Sequence, residues 1–240
     1  MDVTEDRILG ARLMLRQPAH GYRINADTML LAAAVSAEPG MSLMEAGCGV
    51  GGAALAVAKR APGVRVLGVE RDPAMAALAR ENVIANGLAE QVSVELGDAL
   101  ARSWGVFDGV FFNPPFDLEG EGRAPAETRR AAHIAEETID AWIAALSDRL
   151  KGGAALTLIH RASKLSEILA ALEGRLGGVD IFPIRPFADE PAKRVIVRAR
   201  KGSRAPLRLL KGLDLHDRSG AKHTPEAEAI LRGDALIGWG

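Results

Sequence analysis

Only one cysteine, Cys48, occurs among 240 residues, so no disulfide can form within the chain, and no Cys/His group has the spacing of a zinc site. A reducing, cytoplasmic setting without a structural metal is expected. Long apolar runs are missing as well: none approaches the length of a bilayer-spanning helix, and the opening MDVTEDRILG is acidic where a secretory leader is basic and then apolar. Membrane insertion and export are therefore not expected. No repeat, low-complexity tract or linker-like composition divides the chain, and its 48% hydrophobic content suffices for one substantial core. The expected organisation is a single domain over residues 1–240, with an N-terminal segment 1–40 and a basic C-terminal extension 202–240.

A net charge of one sign is also lacking, since the formal total is −1. That balance hides a local excess. From Lys193 to Lys222 the cations are Lys193, Arg194, Arg198, Arg200, Lys201, Arg204, Arg208, Lys211, Arg218 and Lys222, opposed only by Asp214 and Asp217. A block of one sign suits a polyanionic partner, and equally the solvated edges of strands and loops.

What is present is an alternation. Asp27 stands before the apolar run Thr28–Val35 as a candidate helix cap, and Pro39-Gly40 closes that helix. Short β-type runs then alternate with Ala-rich helical segments: SLMEA, VRVLGVE, VSVELGD, GVFFN and AALTLIH are the strands, and a long helix is expected near Ala126–Leu150. Such alternation predicts an α/β fold with a mostly parallel sheet and helices on both faces. Between VDIFPI and RVIVRARK only RPFADEPAK intervenes, too short for a parallel crossover, so the last strand is expected to run antiparallel. Beyond it PLRLLKGLDLHDRSGAKH reads as a basic hairpin or irregular arm, and TPEAEAILRG as a short capped helix.

The loop Glu45-Ala46-Gly47-Cys48-Gly49-Val50-Gly51-Gly52 follows the first of these strands and opens a helix. Gly47, Gly49 and Gly52 satisfy GxGxxG, and Glu70 ends the next strand where a ribose-binding carboxylate belongs. That pair serves NAD, FAD and S-adenosylmethionine alike. Three features favour S-adenosylmethionine. The antiparallel last strand departs from the usual dinucleotide fold. Glu45 can order the loop beside a zwitterionic sulfonium ligand but would sit poorly against a pyrophosphate. Asp98, in Gly97-Asp98-Ala99 at the end of the third strand, can accept from an adenine amino group.

With these motifs in this order, EAGCGVGG, GVERD, GDAL and FFNPPF, the chain resembles the class I S-adenosylmethionine-dependent methyltransferases. The resemblance implies a Rossmann-like seven-stranded mostly parallel sheet with an antiparallel last strand. It implies S-adenosylmethionine as cofactor, held by Glu45, Gly47, Cys48, Gly49, Gly51, Glu70, Arg71, Asp98, Ala99 and Asn113. The segment HGYRINADTMLLAA further resembles the N-terminal signature of the bacterial tRNA adenine-N6 methyltransferases that act on a valine tRNA beside the anticodon; in that family the run lies over the cofactor, which adds Asp27 and Thr28 to the expected contacts.

The stretch FFNPPFD carries the expected chemistry. Proline fixes φ and confines the residue before it, so Asn113, Pro114 and Pro115 are stiff by construction. In the resembling family this motif serves methylation of planar amino or amide nitrogens: the Asn113 side-chain oxygen and the Pro114 carbonyl accept the two N–H hydrogens and free the nitrogen lone pair, while Phe116 stacks on the flat target. The expected activity is methylation of an adenine N6 amino group in RNA, with tRNA as the expected partner. A glutamine-amide methyltransferase acting on a protein such as a release factor, and a Rossmann-type protein that only binds a nucleotide, are the alternatives. Phe116 stands where many relatives carry Tyr.

Overall fold

A computed structural model of the chain describes residues 2–21, 23–101, 104–114 and 138–240. It opens with an antiparallel hairpin, β1 (Val3–Ile8) and β2 (Leu13–Pro18), two strands absent from the alternation read along the sequence. The apolar alternation that would betray β1 is masked because its polar side chains are used structurally: Asp6 accepts from Gln17 at 2.8 Å and from Arg23 at 2.7 Å.

Helix α1 (Ala26–Ala34) follows, then an alternating series: β3 (Ser42–Ala46), α2 (Gly52–Arg60), β4 (Arg65–Glu70), α3 (Pro73–Ala85), β5 (Val92–Leu96) and β6 (Phe107–Phe112). After the described chain resumes come α4 (Ile139–Ser147), β7 (Leu150–Arg161), α5 (Leu165–Leu172), β8 (Leu176–Arg185) and β9 (Arg194–Lys201). The chain closes with β10 (Arg208–Leu209), β11 (Leu213–Asp214) and α6 (Pro225–Arg232). Of the long helix expected near Ala126–Leu150, the described part is α4, which stops at Ser147; Leu150 already belongs to β7.

The main sheet has the order β10-β8-β9-β7-β6-β3-β4-β5, with β11 also on β8. The strands β3 to β7 pair in parallel, and β9 inserts between β7 and β8 antiparallel to both, Val197 lying opposite Leu158 on one side and Ile181 on the other. The short β8–β9 connection thus has the expected consequence. The basic arm after β9 is not a hairpin: β10 and β11 each pair in parallel with β8. Helix α6 begins at Thr224, whose side chain accepts from the Ala227 amide, as its sequence suggested.

Because successive strand residues face opposite sides, Phe111 joins a core with α1, α2 and α3, while Phe112 joins one with α4 and α5. Asn82, fully buried on α3, holds the hairpin in place. Its amide bonds the backbone N–H of Arg16 at 2.8 Å and the carbonyls of Arg16 and Val50 at 2.9 and 3.0 Å. One side chain thereby ties the N-terminal hairpin to the glycine loop.

Candidate active site

Four strands, β3, β4, β5 and β6, run parallel as neighbours, so the glycine loop, Glu70, Asp98 and Asn113 all emerge at one edge of the sheet. The glycine loop turns sharply there. Gly47 and Gly51 have φ of 70° and 85°, and a Cβ on Gly47 would lie 3.3 Å from the Trp142 ring. Trp142 in turn stacks on Phe112, the residue before Asn113, with centroids 5.4 Å apart. The indole is therefore wedged between the loop and the end of β6.

The direction of the loop's N–H groups separates the candidate ligands. Gly47 and Cys48 both donate to the Val69 carbonyl, at 2.9 and 3.1 Å, and Gly51 donates to the Cys48 carbonyl at 2.9 Å. Gly49 donates to Glu70 Oε2 at 2.8 Å. A pyrophosphate site needs such groups turned outward as an anion cradle. Here they are committed inward beside a carboxylate, an arrangement suited to a cationic ligand with a ribose diol.

Glu70 accepts from Asp72 N–H through Oε1 at 2.9 Å, and each of its oxygens keeps a second lone pair. It is thus preoriented at the end of β4 for hydroxyl donors. Glu45 orders the loop from behind: it is 5% exposed, and its Oε2 accepts from the Ala54 amide in the first turn of α2 at 2.7 Å. Burial pushes its carboxyl up to about 8, opposed by that amide and reinforced by Glu70. Cys48 points under the loop, its Sγ close to Gly68 of β4, and burial raises its thiol. Its side chain packs, and its contribution to the turn comes through the backbone. Arg71 is exposed directly after β4.

At the end of β5, exposed Asp98 accepts from the Leu100 amide at 2.9 Å, and Ala99 beside it is buried. Trp104, which sequence reasoning passed over, packs where a Cβ on Gly97 would be and donates its indole N–H to the Asp98 carbonyl. Its isolation in a loop offered no periodic signal.

The N-terminal segment covers the loop: Ile24 and Thr28 approach Gly52 so closely that a Cβ there would meet them at 3.0 and 3.2 Å. The cap of α1 is Asn25, whose side chain accepts from Asp27 N–H at 2.9 Å, and not Asp27 as expected. Asp27 instead sits in the first turn and binds Arg194 of β9 at 3.0 Å. Thr28 is buried, and its hydroxyl has no partner among the described residues. The same holds for Asn113 Oδ1, just past β6 and followed by buried Pro114. Buried polar atoms are almost always bonded, so these two oxygens, without partners among the described residues on either side of one loop, are suited to receive ligand groups. Pro115 and Phe116 lie outside the described residues.

A family model described as methyltransferase small domain matches residues 21–177. The chain is also 30% identical over 207 residues to a Porphyromonas gingivalis protein named tRNA1(Val) (adenine(37)-N6)-methyltransferase, covering 81% of this chain and 80% of the relative. The chain belongs to the class I S-adenosylmethionine-dependent methyltransferases. A crystal structure from Agrobacterium tumefaciens, described as a predicted O-methyltransferase, is 30% identical with a TM-score of 0.73, covering 88% of this methyltransferase and 98% of that chain. A T. thermophilus 16S rRNA methyltransferase solved with AdoMet and guanosine, 22% identical with a TM-score of 0.57 over 83% of this chain and 50% of its own, shares the fold.

The residues present fit S-adenosylmethionine. In this methyltransferase Glu70 would hold the ribose hydroxyls, Asp98 the adenine amino group, and the loop from Gly47 to Gly51 with Thr28 above it the amino-acid end. Among the described residues no group of His, Cys, Asp and Glu is placed to bind a metal, and no helix is long and apolar enough to cross a membrane.

Proposed function

We propose that this methyltransferase modifies the exocyclic N6 amino group of an adenine in RNA, with a transfer RNA as substrate. The observation that carries the reading is the Asn113 amide oxygen, buried and without a partner among the described residues, at the end of β6 and one strand from the glycine loop. A flat amine is a poor nucleophile because its lone pair is delocalised. Asn113 Oδ1 and the Pro114 carbonyl are suited to accept its two hydrogens, turning the lone pair away from the ring plane; preorganised dipoles of this kind act where charge develops. S-adenosylmethionine, when bound, supplies the electrophilic methyl group. An amide oxygen accepts from N–H but cannot deprotonate a hydroxyl, so the geometry supports a nitrogen acceptor over the oxygen in the Agrobacterium protein's description. The name of the P. gingivalis relative and the basic residues at the open edge support RNA.

Arg198, counted with that basic block, is not available to a partner. It is 5% exposed, bonded to buried Asp180 at 2.7 Å and covered by Trp239 at 4.1 Å. Lys193 is exposed at the carboxyl edge and is the cation to reverse in a binding test.

The test is transfer of tritiated methyl to tRNA from cells lacking the enzyme, followed by nucleoside analysis. N6-methyladenosine is expected; label confined to protein, or absent from every RNA, refutes the reading. Asn113→Ala should lower the rate by about 10²–10³ while S-adenosylhomocysteine affinity stays within a few-fold. An equal loss of cofactor affinity would assign Asn113 a structural role.

A further inference from the structure

We propose that Phe187, His216 and His223, capped by Arg218, form a second stacking platform that receives a base of the RNA near the methylated nucleotide. This rests on the RNA reading above and names a recognition surface for it.

The rings form a ladder. Phe187 and His216 have centroids 5.5 Å apart with their planes tilted by 47°, and His216 and His223 stack at 5.2 Å with 21° between their planes. The guanidinium of Arg218 covers the outer face of the ladder, 5.0 Å from the Phe187 centroid. The three rings are half-buried and come from two loops that backbone bonds lock together: Leu215 N–H donates to Arg185, His216 N–H to Pro186 and Thr224 N–H closes back onto Leu215, at 2.9, 2.9 and 3.0 Å. His216 Nδ1 lies 2.5 Å from the Lys222 carbonyl, so that nitrogen carries a proton and donates. His223 Nδ1 is buried without a partner among the described residues. The platform is thus held by backbone bonds, polar at the His223 end and aromatic at the Phe187 end.

Its position follows from topology. Strands β8 and β11 run in the same direction as β6, so the loops after Arg185 and Asp214 leave the sheet at the edge that carries Asn113. Three strand steps, β6 to β7 to β9 to β8, place the start of the platform about 15 Å along that edge. Cations stand along these steps: Arg161 closes β7, exposed Lys193 precedes β9, and Arg194 and Arg185, which pair with Asp27 and Asp214, open β9 and close β8. Stacking surfaces joined by a track of cations are what binding of single-stranded nucleic acid requires.

Arg218 marks the entry. Its partner is Asp189, at 2.8 Å, with side chains 71% and 68% exposed. An ion pair so exposed contributes little in water, less than a base laid against an aromatic ring. A base can therefore enter between Arg218 and Phe187, with the guanidinium closing over its far face.

The test compares Phe187→Leu, His216→Leu and Phe187→Trp in the full chain, measuring KM for unmodified tRNA, kcat, S-adenosylhomocysteine affinity and melting temperature. Loss of stacking should raise KM for tRNA about five- to a hundredfold in the Leu variants, with kcat and cofactor affinity within twofold. Phe187→Trp should restore KM. If the Leu variants methylate tRNA with unchanged KM, the platform is refuted and the RNA reading stands. If cofactor affinity or melting temperature falls in step with KM, the rings are structural and the platform is again refuted. If the wild-type enzyme methylates no RNA, the functional reading itself fails and takes this surface with it.

Discussion

Replacing Glu45 by Gln tests the electrostatics of the glycine loop. Burial raises this carboxyl from 4.5 to about 8 even though the Ala54 amide donates to it. Between those values the folded chain keeps a proton that the unfolded chain has released, so stability falls as pH rises. The slope is about 1.4 kcal/mol per pH unit, on the order of 5 kcal/mol over the whole window. That is a large share of the roughly 5–15 kcal/mol typical of a domain. Glu45→Gln keeps a carbonyl oxygen for the Ala54 amide and cannot ionise. The stability of the variant minus that of the wild type should therefore grow with pH between about 5 and 8 and level off above, whatever its starting value. Urea unfolding at four pH values across this range measures it. The depressed carboxyls of Asp6, Asp108 and Asp180 titrate below the window and cancel in the difference. A difference that stays flat, or shrinks with pH, would refute the account of Glu45 as a buried and mostly protonated brace.

Gly47→Ala should cost about 1–2 kcal/mol for its left-handed backbone and also weaken S-adenosylhomocysteine binding, because the new methyl presses on Trp142. Gly87→Ala has a similar φ of 66° with nothing within 4 Å, so it should lose stability alone; calorimetric titration separates the two. Asp180→Ala leaves buried Arg198 beside Arg200 and Arg208 without their shared carboxylate. It should destabilise by about 3–5 kcal/mol, a loss that Arg198→Met in the same chain should partly reverse; a denaturation midpoint unchanged in Asp180→Ala would contradict this.

Much of the site is legible along the chain because its residues have few other uses. Glycines between a strand and a helix, an acid at the end of the next strand and a proline pair after an apolar run each restrict the local backbone strongly. Their order places them at one sheet edge. The antiparallel β9 is legible for a related reason: the segment before it is too short to cross the sheet. The hairpin β1–β2 escapes because its polar faces are satisfied by Arg23, Gln17 and Asn82, which no period reveals. Asp27 and Asn25 are both good caps, and only the backbone decides between them.

By itself the amino-acid sequence determined the α/β alternation, the reversal of β9 and the stations of the cofactor loop, since these depend on local conformational limits and on how far a short connection can reach. Tertiary structure decided what depends on partners distant in sequence. It turned the loop amides inward, buried Arg198 against Asp180 and Trp239, left Asn113 Oδ1 without a partner among the described residues and brought Phe187 to His216 and His223. Those outcomes follow from strand register and packing, which bring side chains together across intervening elements in ways that no local pattern encodes.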